Sequence, residues 1–353
     1  MEGSLAGRGL FITGTDTDVG KTVVTAGIAA ALQRGRFAGE PGAVRLWKPV
    51  QTGTLQRTVQ GAFALPGPAN VAGQVTSALS RRADEVRRSG SSAGTQGRQR
   101  LQVQAGALEA AAGGVDRRQA QADALAYAAG ETDSARLLRL SGLRHQSAAD
   151  IATLSLPEPL APWMAAERAG IRIDYDALVR EGQRRLAISS CLLVEGAGGL
   201  AVPLTGERLI ADLAQQLGLA LVIVARPALG TVNHTVLSVE YARKRGLSVA
   251  GIILNGFRDG EHDPLAVQEN VRMIERFCPG IPVLGVLPWL PEPSAPAAYE
   301  SAAGGRLPSQ SGRDSVSSSD FLRSEDDALR AWREQWAFEV AKCIRLDRLL
   351  DRL

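Results

Sequence analysis

The chain has 353 residues, of which 45% are hydrophobic and 5% aromatic, and its formal net charge is +3. This hydrophobic content excludes global disorder, and the length predicts either two ordinary domains or one α/β domain that carries insertions. The arginines are not interleaved with aromatic residues, so the composition gives little support for a nucleic-acid partner.

Short apolar runs alternate with helical patterns along the chain, which is typical of βαβ units and a parallel sheet. The predicted strands are Leu10–Thr13, Val44–Lys48, Cys191–Glu195, Leu219–Ala225, Val249–Leu254 and Pro282–Leu287. The predicted helices are Lys21–Gln33, Ile210–Leu217, Thr231–Lys244 and Leu265–Arg276. Strands this continuously apolar are buried on both faces, so we expect helices on both sides of the sheet. The fold class is therefore predicted as α/β, a single doubly wound domain with a mostly parallel central sheet.

Two polar stretches interrupt this pattern and are interpreted as insertions. Residues 55–130 are rich in Gln, Ala, Gly, Ser and Arg, whereas residues 291–325 are rich in Ser, Pro and Gly. Both have too few large apolar side chains to offset the entropy of ordering, so we expect largely disordered surface segments. An RNA-binding role is an alternative for the first stretch. The folded domain would comprise residues 1–54 and 131–290, and residues 326–353 would form an amphipathic C-terminal helix.

The three cysteines, Cys191, Cys278 and Cys343, are widely and irregularly spaced. They indicate neither a disulfide framework nor a metal site, and they favour a reducing compartment. The N-terminal residues lack a basic region followed by an apolar stretch, and no segment reaches about 18 uninterrupted apolar residues. We therefore expect a cytoplasmic protein without a membrane span.

The segment Phe11–Thr22, FITGTDTDVGKT, has the pattern of a phosphate-binding loop. It follows a predicted strand and opens a predicted helix, so consecutive backbone N–H groups and the helix N-terminus can hold a triphosphate. Lys21 would reach the β and γ phosphates, and the Thr22 hydroxyl would ligate Mg²⁺. Gly14 and Gly20 are separated by five residues instead of the common four, which makes the loop a variant. The alternative interpretation is an ordinary glycine-containing turn between strand and helix.

Two further motifs place charged residues at the ends of predicted strands. Lys48 lies in LWKPVQTG, and Glu195 is the last residue of the strand in LLVEGAGGL. In an open parallel sheet the ligand crevice lies at the carboxyl ends of the strands, so both side chains should point toward the phosphates. A second lysine suits phosphoryl transfer, and a carboxylate at this place is the usual partner of Mg²⁺ in such sites. A surface lysine and a carboxylate bonded to loop amides are the structural alternatives.

Taken in order, these motifs resemble those of the dethiobiotin synthetase family, of the P-loop NTPase type. The similar segments are GTDTDVGKT, KPVQTG, PEPLAPWMAAERAG, VEGAGG, ALGTVNHT, ILNG and PVLGVLPWL. The resemblance extends over about two thirds of the chain, which is essentially everything outside the two predicted insertions. No single motif is diagnostic, but the ordered set is specific.

The resemblance implies a role for each matching residue. The catalytic residues would be Lys48 and Lys21, and Mg²⁺ would be held by Thr22, Asp133 and Glu195. The residues that would contact ATP are Asp18, Val19, Gly20, Lys21, Thr22, Asp133, Glu195, Gly196, Ala197, Gly198, Asn255, Pro288, Trp289 and Leu290. Asn255 would recognise adenine, and the last three of these residues would wall the base pocket. The substrate-binding residues would be Thr17, Thr52, Gly230, Thr231 and Asn233, with the substrate carboxylate bound across a dimer interface.

The aspartate is the residue that departs from the family pattern. Family members carry it shortly after the KPV motif, whereas the best match here is Asp133 in GETDSARLL, beyond the first insertion. For the site to assemble, the insertion must loop out and return its end to the cleft.

The implied reaction is ATP-dependent closure of the ureido ring of dethiobiotin, a step of biotin biosynthesis. The substrates would be 7,8-diaminononanoate, CO₂ or bicarbonate, and ATP with Mg²⁺, and the protein would be a homodimer with no nucleic-acid or membrane partner. A carbamate would attack the γ-phosphate, and the second amine would close the ring from a carbamic–phosphoric anhydride, releasing ADP and phosphate.

Three alternatives stay open. A partition-type or regulatory P-loop ATPase would carry a signature lysine early in the loop, where this chain has Asp16. A cobyrinate-type amide ligase would add a glutaminase domain with a nucleophilic cysteine, and none of the three cysteines lies in such a setting. A catalytically impaired paralogue is the third, because of the long insertion before Asp133.

Overall fold

A parallel β-sheet forms the framework of the chain. The computed structural model describes residues 9–54, 132–292 and 318–350. Within them, seven strands form one sheet in the order β3-β2-β4-β1-β5-β6-β7, and every neighbouring pair is parallel. The strands are β1 (Gly9–Gly14), β2 (Val44–Gln51), β3 (Ala152–Ser155), β4 (Cys191–Glu195), β5 (Ala220–Ala225), β6 (Val249–Phe257) and β7 (Val283–Pro288). The strand order reverses at β1, which places a crevice beside its carboxyl end.

Helices connect the strands and cover the sheet. In the described part of the chain they are α1 (Lys21–Arg34), α2 (Asp133–Ser141), α3 (Ala148–Ile151), α4 (Pro162–Arg168), α5 (Tyr175–Ala187), α6 (Ile210–Leu217), α7 (Thr231–Lys244), α8 (Pro264–Phe277), α9 (Ser318–Cys343) and α10 (Leu346–Leu350). None of these helices is both long enough and apolar enough to cross a membrane.

The sheet is buried on both faces. Leu10 and Ile12 of β1 pack into one hydrophobic core with α1, α2 and α9, while Phe11 between them packs into a second core with α5 to α8. All three side chains are inaccessible to solvent. This alternation follows from the two-residue period of a strand. It confirms the predicted doubly wound α/β fold with a parallel central sheet.

The region between β2 and β4 contains elements that the sequence patterns did not predict. The edge strand β3 pairs with β2 beyond Lys48, so Cys191–Glu195 is the fourth strand of the chain and not the third. The residues of β3 alternate between partly buried and exposed, because successive side chains point to opposite faces and one face of this edge strand is exposed. Such a short and half-exposed strand gives no apolar run. The helices α2 to α5 were missed as well.

The C-terminal helix α9 packs on α1, the helix that follows the phosphate-binding loop. Trp336 of α9 is 1% exposed, and its indole Nε1 donates a hydrogen bond to the Val23 carbonyl over 2.9 Å. The indole approaches so closely because residue 27 of α1 is glycine: a Cβ there would lie 2.4 Å from Trp336 Nε1. Gly27 therefore serves close helix packing, at the propensity cost that glycine carries within a helix.

The C-terminal segment differs in its boundaries from the prediction. The helix begins at Ser318, within the predicted insertion 291–325, and not at residue 326. It ends at Cys343, after which the Arg345 backbone N–H donates to the Leu284 carbonyl of β7. This bond turns the chain onto the sheet edge, and α10 follows. The predicted insertion 55–130 and residues 293–317 lie outside the described residues.

We predict that Trp336→Ala destabilises the protein strongly. The change removes a fully buried indole and its hydrogen bond, and such truncations cost about 3–5 kcal/mol of unfolding free energy. Urea unfolding followed by circular dichroism measures the loss. Phe338→Ala is the matched control, because Phe338 lies on the same helix but is 62% exposed. Equal stabilities of the two variants would contradict the docking of α9 on α1.

Candidate active site

The phosphate-binding loop runs from Thr15 to Gly20 between β1 and α1. Asp18 has a φ of 53° and Gly20 a φ of 82°, so two residues of the loop adopt left-handed conformations. Gly20 is the N-cap of the 14-residue helix α1, and no side chain caps this helix. The first N–H groups of α1 are therefore not bonded by a capping side chain. Together with the helix dipole they favour an anion at this position.

Lys21 curls back over this loop. Its side-chain Nζ donates to the Asp16 carbonyl at 3.0 Å, and the residue is 8% exposed. The Asp16 carboxylate is held in turn by the Thr17 N–H at 2.7 Å and by Arg226 Nη2 at 2.9 Å. Burial, followed by repulsion from Lys48, lowers the pKa of the Lys21 ammonium. The loop and its lysine are thus fixed by contacts to its own backbone and to the end of β5.

The centre of the site is a buried ion cluster around Lys48. Lys48 Nζ lies 2.6 Å from Glu195 Oε1 and 2.8 Å from Asp133 Oδ2. The Thr22 hydroxyl donates to the same Glu195 oxygen at 2.9 Å. The side chains of Lys48 and Glu195 are 3% and 1% exposed, whereas Asp133 is 40% exposed at the mouth of the cluster. One ammonium thus joins two carboxylates from distant parts of the sequence.

In this cluster the pKa values of Lys48 and Asp133 are each shifted by the opposite charge of the other residue. Burial alone would lower the pKa of Lys48, but the Asp133 and Glu195 carboxylates raise it above its ordinary value. Burial would likewise raise the pKa of Asp133, but the Lys48 ammonium holds it below its ordinary value. Lys48 and Asp133 are therefore both charged at neutral pH. With Lys21 and Glu195 included, the site has two lysines and two carboxylates.

The strand order explains why these side chains meet. Strands β2 and β4 are neighbours, and β4 lies beside β1, so the carboxyl ends of all three reach one edge of the sheet. Lys48 is the fifth of the eight residues of β2, which continues past its predicted end to Gln51, and Glu195 is the last residue of β4. Thr22 is the second residue of α1, and Asp133 is the first residue of α2. Glu195, Thr22 and Asp133 thus stand at or next to the end of a regular element, whereas Lys48 stands in the carboxyl half of β2.

The donor set fits a Mg²⁺ ion that accompanies a nucleotide. Glu195 Oε2 is buried and has no hydrogen-bond partner among the described residues, so one carboxylate oxygen is available. The Thr22 hydroxyl and the Asp133 carboxylate add two oxygen donors nearby. Mg²⁺ is typically bound by one or two carboxylates together with substrate phosphates and waters. No group of three acidic, histidine or cysteine side chains within the described residues could hold a metal by itself.

The predicted base pocket lies at the ends of β6 and β7. The Asn255 side-chain amide donates to the Val19 carbonyl at 3.1 Å, which ties β6 to the phosphate-binding loop. A Cβ on Gly20 would lie 2.2 Å from this amide, so Asn255 covers the glycine directly. The Trp289 N–H donates to the Phe257 carbonyl at 2.7 Å, and Arg258 covers one face of its indole at 4.1 Å. Leu290, also in this segment, is partly buried against the core.

Known proteins resemble this chain in sequence. A family model described as an AAA domain matches residues 8–70 and 119–297. The ATP-dependent dethiobiotin synthetase BioD of Bacillus cereus (strain G9842) is 34% identical over 281 residues, which are 80% of this chain and 83% of that protein. The BioD of Bacillus thuringiensis (strain Al Hakam) is 48% identical over 157 residues, 44% of this chain. In that second match the chain spans only 63% of the relative's length.

This chain belongs to the dethiobiotin synthetase family. The protein in the crystal structure of a ParA family ATPase from Chlorobium tepidum TLS aligns with 94% of this chain and 99% of its own, at 12% identity and a TM-score of 0.38. The fold is assigned from the strand order and not from that similarity.

The structure brings most of the predicted synthetase residues to one edge of the sheet. Lys21, Thr22, Lys48, Asp133 and Glu195 form or adjoin the ion cluster. The loop after β4, with Gly196, Ala197 and Gly198, lies against β1, since the Gly14 N–H donates to the Gly198 carbonyl at 3.3 Å.

The predicted substrate residues are more dispersed. Thr17 is exposed on the phosphate-binding loop, and Thr52 follows β2. Gly230 caps α7 with a φ of 92°, Thr231 is buried with an unbonded hydroxyl, and Asn233 is exposed. No hydrogen bond or ion pair between described residues joins Gly230, Thr231 or Asn233 to the Lys48 cluster. The role of these residues in substrate binding stays a prediction.

One residue of the site was missed. Gln51 is 2% exposed, and its side-chain oxygen accepts the Ser134 N–H at 2.9 Å, at the start of α2. Its amide nitrogen donates to Ser155 Oγ at 2.7 Å. Gln51 therefore fixes the helix that begins with Asp133. The available signal was a polar residue in the apolar end of β2, three positions after Lys48.

We predict that the Lys48 cluster stabilises the protein only while its charges are balanced. Lys48→Met keeps most of the side-chain volume but leaves the Glu195 carboxylate buried without a cation. Removing one partner of a buried ion pair costs about 3–5 kcal/mol. The double variant Lys48→Met/Glu195→Gln should recover part of that loss, because no unpaired charge remains at Glu195.

Urea unfolding at neutral pH without nucleotide compares these variants with wild type. Lys244→Met is the control, since Lys244 lies exposed in the last turn of α7 and should change the free energy of unfolding by less than about 0.5 kcal/mol. A Lys48→Met variant as stable as wild type would show that the cluster is not energetically coupled to folding.

Proposed function

We propose that this chain is an ATP-dependent dethiobiotin synthase, a cyclo-ligase that carboxylates 7,8-diaminononanoate and closes its ureido ring. The observation that carries the proposal is the Lys48 ammonium held between Glu195 and Asp133, beside a phosphate-binding loop. Membership of the dethiobiotin synthetase family supports the same assignment.

In the proposed reaction the chain acts by charge stabilisation and positioning. The loop amides and the Lys21 ammonium would bind the triphosphate, and the Lys48 ammonium would stabilise negative charge on the phosphoryl group in transfer. Thr22, Asp133 and Glu195 would hold Mg²⁺, which when bound neutralises charge on the phosphate oxygens. None of these roles requires a covalent nucleophile.

The reaction would proceed by carbamate formation, phosphoryl transfer to the carbamate and ring closure. One amine takes up CO₂ as a carbamate, and a carbamate oxygen attacks the γ-phosphorus while the bond to ADP breaks. The second amine then attacks the carbonyl carbon of the carbamic–phosphoric anhydride, and phosphate leaves. The burial of Lys48 and Glu195 supports a site shielded from water, where the anhydride would resist hydrolysis.

A homodimer is part of the proposal. The predicted substrate-binding residues Gly230, Thr231 and Asn233 are the N-cap and first turn of α7, and Leu229 before them is fully exposed. A partner subunit that covers this segment would bury Leu229 and bring the substrate carboxylate to the Thr231 region of α7.

The arrangement of Asp16 argues against a partition-type ATPase. Its carboxylate is paired with Arg226 at 2.9 Å, so this loop position holds an anchored anion where those proteins carry their signature lysine. A switch that depends on a cation donated from that position could not operate here.

We predict that wild-type protein forms dethiobiotin from 7,8-diaminononanoate, bicarbonate and Mg²⁺-ATP, with one phosphate released per product. Lys48→Met should lower kcat by at least about 100-fold, since single charge-stabilising donors contribute on that order. Mass spectrometry of the product and a phosphate assay measure both. Lys244→Met should remain fully active. ATP hydrolysis that does not depend on the diamine would reject the ligase assignment.

We predict further that Asp133→Asn raises the Mg²⁺ requirement. Loss of one carboxylate ligand should increase the Mg²⁺ concentration for half-maximal activity by about tenfold or more. Titration of activity with Mg²⁺ at saturating total ATP gives this value. Asp176→Asn, at an exposed carboxylate of α5, is the control. An unchanged Mg²⁺ profile in Asp133→Asn would remove Asp133 from the metal site.

A further inference from the structure

The carboxylate of Glu292 lies between two arginines of helix α2. Arg136 Nε donates to Glu292 Oε2 at 3.2 Å, and Arg136 Nη2 donates to Glu292 Oε1, so the guanidinium binds both carboxylate oxygens. Arg139 Nη2 also donates to Glu292 Oε2 at 3.2 Å. The side chains of Glu292 and Arg139 are only 20% and 15% exposed. Bidentate, charge-assisted hydrogen bonds of this kind fix orientation as well as distance.

This contact bears on Asp133, because Asp133 is the first residue of the same helix. Helix α2 has nine residues, and Arg136 and Arg139 lie one turn apart on it. Two like charges at this spacing repel each other and weaken the helix. The Glu292 carboxylate removes that repulsion and attaches the helix to the segment after β7. The helix whose first residue places a carboxylate 2.8 Å from Lys48 is thus attached to a residue outside the cluster.

Glu292 also stands next to the predicted wall of the adenine pocket. It follows Pro288, Trp289 and Leu290 after one intervening residue, and Trp289 is fixed by its bond to the Phe257 carbonyl. A few residues of continuous chain thus connect the base end of the nucleotide site with the helix that carries a proposed metal ligand.

We propose that Glu292 is a positioning residue that holds Asp133 in place for Mg²⁺ through Arg136 and Arg139. Through Glu292, the predicted adenine wall, Pro288 to Leu290, is connected to the metal end of the nucleotide site. The inference rests on the proposed function for the identity of the nucleotide and of the metal ligands. Partners that orient a metal ligand typically change metal affinity by about 10–100-fold when they are replaced.

The test is equilibrium binding, not turnover. Isothermal titration calorimetry measures the affinity of the full-length protein for the non-hydrolysable analogue AMP-PNP, once with Mg²⁺ and once with EDTA. The ratio of the two affinities is the Mg²⁺ enhancement. Glu292→Gln, which keeps the shape but removes the charge, should reduce this enhancement by about tenfold. The affinity in EDTA should change much less, because the base wall and the phosphate-binding loop remain.

Two comparisons separate positioning from a general loss of structure. Glu292→Asp retains the charge on a shorter side chain and should recover part of the Mg²⁺ enhancement. Glu269→Gln removes a carboxylate from an exposed ion pair with Arg272 and should change neither affinity. In an Asp133→Asn background, Glu292→Gln should have no further effect on the enhancement, since Glu292 acts through Asp133.

An unchanged Mg²⁺ enhancement in Glu292→Gln would overturn the inference. So would an equal loss of affinity with Mg²⁺ and with EDTA, or a full additional effect in the Asp133→Asn background. A protein that binds Mg²⁺-AMP-PNP in the expected way but forms no dethiobiotin would reject the proposed reaction and leave the role of Glu292 standing.

Discussion

The site depends on one buried ion pair, between the Lys48 ammonium and the Glu195 carboxylate, 2.6 Å apart. Each charge needs the other in this buried position. Only a close opposite charge and further hydrogen bonds offset the free-energy cost of desolvating it. Thr22 supplies one of those bonds, and Asp133 supplies a second anion at the solvent side. The pair therefore joins β2, β4 and the start of α1, and its geometry sets where phosphates and a cation can lie.

The rest of the fold fixes the positions of β2, β4 and α1 relative to one another. Strands β2 and β4 pair from Val44 with Cys191 to Trp47 with Val194, which places Lys48 beside Glu195 at the end of the ladder. Helix α1 is held from its other side by Trp336, whose indole bonds to Val23 one residue after Thr22. The C-terminal helix is thus bonded to α1 one residue away from Thr22, which would contact the nucleotide.

The elements that could be predicted from the sequence are those that a pattern of neighbouring residues marks. The interior strands could be recognised because burial on both faces makes them apolar throughout. Lys48 and Glu195 could be found because each is a charged residue that directly follows large apolar residues in its strand. The edge strand Ala152–Ser155 could not, since half of it faces solvent. Glu292 could not either, and Gln51 showed only as a polar residue at the apolar end of β2. Their functions lie in contacts to residues 83 and 156 positions away, and nothing in their local surroundings indicates those partners.

Asp133 shows how a site tolerates a long stretch of chain between its parts. The Ser134 N–H donates to the Gln51 side chain and so joins the two ends of that stretch directly, while the Thr54 hydroxyl attaches its first end to the Leu156 carbonyl after β3. The entropy of closing a loop rises by only about 0.6 kcal/mol for each doubling of its length. The bonds from Gln51, Lys48 and Glu292 to the first turns of α2 are sufficient to offset such an increment, since each is worth about 1 kcal/mol or more. The position of the carboxylate is thus determined by how the start of α2 is held, and not by the number of residues that precede it.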